Sequence, residues 1–412
     1  MQRVLDIAVC GGGIAGLATA LLLTRAGHRV RVHERDADAD ARDQGGSIGI
    51  DGALGRVVLR RMGLDAAFAE IAHPEAAVGR LVDAAGTVLR ESPGVTDSGD
   101  AEVERPHLRR LLLDRLPPGT VEWGHRVRAL EDHGGRVRLR FDDDTEAVAD
   151  LVVGADGAWS RVRAAVGGTE PVYSGITFLD RRFPDVERDF PRVAETIGRG
   201  TLFGADSGLG LIAQRIGRNA RVYVAFRAEL ARVRETPVQR LRAGLETAFD
   251  ASGWAPSLLE LVSAGAEPGT VRPVFEHPAG HRWASPLAAT LVGDAAHLQS
   301  PFCALGTNGA LLDAADLADA LDGAATVDEA LVAYEAGMWR RAAPNAAAAH
   351  RSLRWFMHDD SPGEYLRRRD GHTCRPAPSV TLDEPWAPGA VAARWVTDDC
   401  GPVPRAGRRR PV

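Results

Sequence analysis

The sequence has no lysine: all 50 of its basic residues are arginine. Together with a richness in alanine, this bias reflects coding DNA rich in G and C, as in high-GC bacteria, before it reflects any binding function. Cysteine is scarce. Cys10, Cys303, Cys374 and Cys400 form no C-x-x-C pair and no metal-ligand spacing, so neither a disulfide framework nor a metal site is expected. Reduced thiols of a cytoplasmic protein account for them. The apolar run Leu17–Leu23 falls short of the about 20 residues that a membrane span needs. The first apolar strand opens at Val4, which leaves no room for a charged leader and a cleavage site. An excess of positive charge is also missing. The formal net charge of -6 argues against nucleic acid or an anionic membrane as a partner.

What is present is the mix of an ordinary globular protein. The 412 residues are 45% hydrophobic and 26% charged, enough for two or three domains with large cores. Residues 4–10 read as a buried parallel strand, followed at once by Gly11-Gly12-Gly13-Ile14-Ala15-Gly16. A helical run stops at Gly27, and a second strand ends on Glu34. The order strand, G-x-G-x-x-G, helix, strand, acid is a dinucleotide-binding signature. Gly11 permits the tight turn, Gly13 lets a pyrophosphate approach the backbone, and Gly16 lets helix and strand pack closely. The helix start offers free N–H groups and a positive dipole end. Glu34 lies 18 residues past Gly16, near the about 20 expected of the acid that binds ribose hydroxyls. This unit alone does not distinguish FAD from NAD.

Two later stretches make that distinction. One is Asp150-Leu-Val-Val-Gly154-Ala155-Asp156-Gly157, an apolar strand ending in a Gly/Asp turn. The other is Thr290-Leu-Val-Gly293-Asp294-Ala295-Ala296-His297, then Pro301, Gly306, Thr307 and Asn308 ahead of a helix expected from Gly309 to about Leu321. With the N-terminal unit, these residues resemble the class A FAD-dependent monooxygenases over about residues 4–350. That group is the p-hydroxybenzoate hydroxylase-like superfamily, and the pattern is closest to the tetracycline-inactivating monooxygenases.

The resemblance implies an α/β fold. A Rossmann-like FAD-binding domain of the GR2 type would be formed by 1–75, 101–170 and 280–330, and a mostly antiparallel β-sheet substrate domain by 76–100 and 171–279. A long helix over 327–360 would bridge the two, and 361–412 would be an irregular extension with a frayed tail at Arg408–Arg410. It also implies residue roles. Gly11, Gly13, Ile14, Ala15 and Gly16 would cradle FAD, with Glu34 on the adenosine ribose and Arg35 beside the adenine. Arg42, Gly45 and Gly46 would form a loop beside the flavin ring. Arg105, in Glu104-Arg105-Pro106-His107-Leu108-Arg109, would reach FAD. Asp156 would serve FAD and NAD(P)H, and Asp294 the ribitol. Gly306, Thr307 and Asn308 would also bind the cofactor, with Pro301 and Gly306 as the wall of the flavin site. His297 and Arg109 read as structural. Leu305 stands where the tetracycline-inactivating enzymes carry a polar residue, and is expected to make the wall more apolar; Cys303 reads as a packing residue.

The chemistry implied belongs to the flavin, with no side chain as nucleophile. NADPH or NADH would reduce FAD, and O2 would form a C4a-hydroperoxide that hydroxylates or epoxidises a ring-containing small molecule, aromatic or polycyclic. The helix starting near Gly306 would turn its positive end to the reduced flavin, while Pro301, Phe302 and Leu305 keep the site dry. A role in natural-product biosynthesis or antibiotic modification is expected, with a monomer or homodimer as the working unit. A flavin reductase or desaturase on the same scaffold, and a flavin-binding protein without turnover, stand as alternatives. Flavin halogenases carry W-x-W-x-I-P and a lysine; this chain has neither.

Elsewhere, 78–91 reads as a hairpin followed by a loop over 92–100, Arg136–Phe141 as a half-exposed strand, and 237–250 as a helix. Gln214, Arg181 and Phe203 are candidates to face the substrate cavity.

Overall fold

The computed structural model describes residues 4–43, 45–92, 99–265, 267–363 and 365–366. Most of the expected loop over 92–100 and nearly all of the expected extension over 361–412, with Cys374, Cys400 and the tail at Arg408–Arg410, lie outside these residues. Among the described residues, no helix is long and apolar enough to cross a membrane.

Five parallel strands form one sheet in the order Ala289–Leu291, Leu151–Gly154, Asp6–Cys10, Arg29–Glu34, Val121–Trp123. Strands Ala289–Leu291, Leu151–Gly154 and Asp6–Cys10 read as almost continuous apolar runs because both faces of a parallel sheet are covered there. Helix Ile14–Arg25 lies against this sheet and is buried along Leu17–Leu23. That burial is why it lacks an amphipathic pattern. Helix Leu305–Gly323 packs beside it, and both contribute to a first core that runs through Leu5, Val9, Leu17, Val153, Leu291, Leu311 and Met338. Two small antiparallel sheets flank this core: Glu146–Ala149, Arg136–Phe141 and Val127–His133, and Ser47–Ile50, Ala101–Glu104 and Ala72–His73.

The largest sheet has seven strands, in the order Thr270–Glu276, Val172–Phe183, Asn219–Arg227, Leu209–Ile216, Gly200–Asp206, Gly79–Val82, Val88–Ser92. Every pairing is antiparallel except that of Gly200–Asp206 with Gly79–Val82. Its two faces follow from period-two alternation. One face carries Leu179, Leu202, Leu211, Val222 and Val224 into a second core, covered by helices Pro191–Ile197, Val238–Ala251 and Pro256–Ser263. The other presents Phe178, Phe203, Ile212, Gln214, Arg221 and Tyr223, paired in register as Phe203 with Ile212 and Ile212 with Tyr223. Gln214 and Phe203 therefore share a face, whereas Arg181 does not. Its guanidinium is buried on the opposite side, donating to the carbonyls of Val262 and Ala264. That corrects the expectation that all three look into one cavity.

Thr326 starts the long helix Val327–Phe356 by accepting from the Glu329 N–H, while Glu329 reaches back to the Ala325 N–H. This reciprocal cap satisfies two orphan donors. The helix ends by inserting Phe356 between Phe302, at a centroid distance of 5.2 Å, and Tyr365, at 5.7 Å. A third core forms there, joining the large sheet through Phe178, Ile212 and Ala225 to the segment that carries Phe302. Phe356→Ala is expected to cost about 3–5 kcal/mol, the usual loss for a buried phenylalanine. Urea denaturation followed by far-ultraviolet circular dichroism measures it, as a lowered midpoint with an unchanged slope.

Candidate active site

Three loops leave the carboxyl ends of three adjacent parallel strands: Gly11–Gly16 after Asp6–Cys10, Ala155–Ser160 after Leu151–Gly154, and Val292–His297 after Ala289–Leu291. Backbone hydrogen bonds stitch them together. The Ala155 N–H donates to the Cys10 carbonyl at 2.8 Å, and the Val292 N–H to that of Gly154 at 2.9 Å. Gly11 sits at φ +112°, and a Cβ there would meet the Ala155 carbonyl oxygen at 2.4 Å. A Cβ on Gly16 would fall 1.9 Å from the Gly11 carbonyl oxygen. One on Gly293, at φ +60°, would meet the Ala15 Cβ at 2.9 Å, so Ala15 is small because the third loop rests on it. At Gly13 a Cβ would meet nothing within 4 Å. Its backbone thus borders open space at the start of helix Ile14–Arg25, whose N-cap residue supplies no side-chain bond. This is an anion cradle: free N–H groups, a positive dipole end and no side chain in the way.

Glu34 ends its strand buried, one carboxylate oxygen accepting from the Gly12 N–H and the other from the Asp36 N–H at 3.0 Å. Each oxygen keeps a lone pair for a further donor. Arg109, buried on helix Arg105–Leu113, donates to the carbonyls of Gly12 at 2.8 Å and Ala39 at 2.6 Å. Its Nη2 is buried without a hydrogen-bond partner, as is the Arg105 Nε. Two orphaned guanidinium donors on one helix, with the cradle beside them, match a phosphorylated dinucleotide. Arg35 and Arg42 instead lie half-exposed against Asp36, at 3.8 Å and 2.7 Å. Gly45 at φ +104° would place a Cβ 3.5 Å from the Arg105 Nε, and one on Gly46 would lie 2.8 Å from the Tyr223 hydroxyl. That loop therefore passes between Arg105 and the large sheet.

Asp156 accepts from the N–H groups of Arg161 at 2.8 Å and Val162 at 3.3 Å and so starts helix Arg161–Ala165; burial pushes its carboxyl up. Asp294 is exposed at the head of the short helix Asp294–His297, with no capping bond of its own. Behind it, Asp313 is fully buried. Its carboxylate accepts from the Gly293 N–H at 2.8 Å, from Arg341 Nη2 at 2.6 Å, and lies 2.6 Å from His297 Nε2. Burial alone would lower the His297 pKa and raise that of Asp313; their mutual attraction reverses both. His297 and Arg109 are thus braces for the loops. Asp313, Arg341 and Tyr223 were not found from the sequence. For Asp313 the signal was partial: it is the first of four aspartates in its helix and is flanked by Leu311-Leu312 and Ala314-Ala315.

Cys303 and Ala304 adopt left-handed backbone, at φ +69° and +52°, and turn the chain into helix Leu305–Gly323. The helix begins at Leu305, earlier than expected, because those two residues break the preceding turn. Pro301 and Ala304 are exposed, Gly306 and Thr307 half-buried. Leu305 corrects the expectation of an apolar wall: its side chain turns back into the first core. The Asn308 side chain is satisfied four times over, accepting from the N–H groups of Asp51 and Gly55 and donating to the carbonyls of Gly49 and Ala304. Away from these loops, His33, Glu122 and His125 are the only described trio close enough to share a cation. There the histidines lie within hydrogen-bonding distance of Glu122, which is also paired with Arg31.

Residues 4–349 match the family model of the FAD binding domain. The chain is a class A FAD-dependent monooxygenase. Its cofactor is FAD, which the orphaned donors and the open cradle fit. It is similar to 3-amino-4-hydroxybenzoate 2-monooxygenase PtmB3 of Streptomyces platensis, at 34% identity over 94% of this chain and 96% of that protein. Among solved structures, a variant of HpxO from Klebsiella pneumoniae complexed with FAD shares the fold, with TM-score 0.75, 22% identity and coverage of 89% of this chain and 94% of that one. The tetracycline destructase Tet(51) shares it too, with TM-score 0.68, 22% identity and coverage of 90% and 95%.

Gly16→Ala is expected to abolish FAD binding, since no side chain can yield to a Cβ 1.9 Å from a carbonyl oxygen. The purified variant should lack the flavin absorption that the parent shows. Asp313→Asn leaves Arg341 with Asp316 as its carboxylate partner and replaces the anion beside His297 with an amide; it is expected to lower stability by about 1–3 kcal/mol, read from denaturant unfolding.

Proposed function

We propose that the chain is an NAD(P)H- and O2-dependent monooxygenase that hydroxylates or epoxidises a ring-containing small molecule, in natural-product biosynthesis or antibiotic modification. The observation that carries this reading is the meeting of the three loops at one end of the parallel sheet, opposite a sheet face bearing Phe203, Gln214 and Tyr223. In this reading 1–75, 101–170 and 280–330 hold the cofactor, 76–100 and 171–279 the substrate, and the helix over 327–360 bridges them. The enzyme works in the cytoplasm as a monomer or homodimer.

FAD, when bound, supplies the activation of oxygen; the protein orients, shields and balances charge. Glu34 takes the adenosine ribose and Arg35 the adenine side. The N–H groups over Gly13–Gly16 take the pyrophosphate. Asp294 would take the ribitol hydroxyls, and Asp156 would serve the binding of both FAD and NAD(P)H. Arg105 fills its orphaned Nε on the cofactor, and Gly45 and Gly46 let the backbone pass close to the flavin ring. The first-turn N–H groups of helix Leu305–Gly323 would hold the flavin end of the cofactor, where their dipole would favour negative charge. A ring substrate is supported by the name of the Streptomyces platensis relative.

Purified protein, with added FAD if needed, should be yellow and should oxidise NAD(P)H faster when given a hydroxylated arene it accepts. Under labelled O2, one labelled oxygen atom should enter the product. Turnover without label would favour the reductase or desaturase reading. Protein that stays colourless with FAD would sink the proposal.

A further inference from the structure

Glu102 has no part in the reading above, and it lacks the arginine partner that several buried acids of this chain have. Asp180 is held by Arg221 and Arg272, Asp313 by Arg341, and Glu276 by Arg354. Among the described residues, no arginine pairs with Glu102. Its one hydrogen-bond partner among the described residues is Ser47, and its Oε2 is buried without any. Burial pushes its carboxyl up to about 6. An acid so placed is costly and calls for a donor from outside the chain.

Its position supplies one. Glu102 lies in strand Ala101–Glu104, opposite Gly49 on one side and His73 on the other. Because Gly49 has no side chain, space is left over the carboxylate: a Cβ there would meet Glu102 Oε1 at 3.1 Å and the Ala304 Cβ at 3.6 Å. The acid and the exposed Ala304, next to the flavin-site helix, therefore flank one point. Glu102 also lines a cavity of about 190 Å³ whose walls include Leu81, Thr201, Phe203 and Tyr365. Leu81, Thr201 and Phe203 belong to the sheet face opposite the loops. The other charged groups near it are otherwise engaged or distant in role. His73 lies 2.9 Å from Glu75, the guanidinium of Arg80 donates to the carbonyls of Thr196 and Ile197, and Arg90 lines the cavity from the exposed hairpin.

We propose that Glu102 is the recognition group of this cavity, accepting a hydrogen bond from the hydroxyl or ring N–H of a flat aromatic compound whose ring lies against Phe203 and Leu81. The identity of this cavity as the substrate cavity rests on the monooxygenase reading; the binding site itself does not. A charge-assisted hydrogen bond is stronger than a neutral one and selects for a donor at this point. The same carboxylate disfavours a substrate that would place its own anion at this end.

Phenol and toluene are the test probes, used with the FAD-loaded enzyme. Crystals soaked in phenol should show its oxygen within hydrogen-bond distance of the Glu102 carboxylate. In solution, Glu102→Leu should weaken phenol binding at least about tenfold while toluene binds as well or better. A residue that merely supports the fold would shift both probes together. If the leucine variant does not retain FAD, Glu102→Gln carries the same comparison, with phenol weakened and toluene unchanged. Phenol that fails to enter the cavity, that turns its hydroxyl elsewhere, or that shifts in step with toluene overturns the proposal. Assay of labelled-oxygen incorporation on the same preparations separates the two readings. Phenol on Glu102 without any oxygenation tells against this cavity as the substrate cavity and leaves the site standing.

Discussion

The site depends on backbones that approach more closely than any side chain would allow. Gly16 meets the Gly11 carbonyl, Gly11 meets Ala155, and Gly293 meets Ala15. These contacts are steric, and they fix where the ends of three parallel strands meet. Residues 137 or more apart in the chain, as Val152 and Ala289 are, are thereby brought to one edge of one sheet. In an open parallel sheet this is the end at which ligands bind, because loops and helix starts converge there. The open face of Gly13 is the complement: one position in the turn where nothing is packed.

A second layer of order is ionic, and the missing lysine bears on it. Where this chain must hold a loop from the interior, it uses arginine. Arg341 bridges Asp313 and Asp316, Arg221 grips Asp180 with two nitrogens and reaches Asp43, and Arg109 ties Gly12 to Ala39. A planar fork of donors can serve two acceptors at fixed angles; an ammonium cannot. Codon bias accounts for why arginine is so common, and geometry for why these positions would not tolerate its loss. Buried pairs of this kind add little net stability, but breaking one leaves an uncompensated charge. Their effect here is to fix the loops: Asp313 sets the turn before Asp294, and Asp43 ties the segment before Gly45 to the large sheet.

Much of the fold was legible because its signals are local. The strand, glycine turn and helix at the N-terminus, the strand Arg136–Phe141 and the helices Val238–Ala251 and Val327–Phe356 all announce themselves by period and by breakers. The three glycine and aspartate turns were legible for the same reason. What escaped depends on the fold's third dimension. Glu102 reads as one more acid in an alternating strand until Gly49 is found beside it. Tyr223 matters only because Gly46 crosses it. Leu305 looked like a wall residue because Pro301 and Gly306 beside it were expected to be, yet a side chain at a helix start leans back over the preceding turn. Arg181 was misjudged since a strand's alternation fixes two faces without saying which is inner.

The central claim is that the three loops together form a cradle for a whole dinucleotide, with Glu34 and the Gly11–Gly16 turn at one end and the helix beginning at Leu305 at the other. Titration of cofactor-free protein with FAD and with FMN, followed by flavin fluorescence, tests this directly. FMN lacks the adenosine half that the N-terminal unit would hold. The account predicts one FAD per chain, bound roughly a hundredfold more tightly than FMN. Equal affinity for the two, or no binding of FAD, would contradict it.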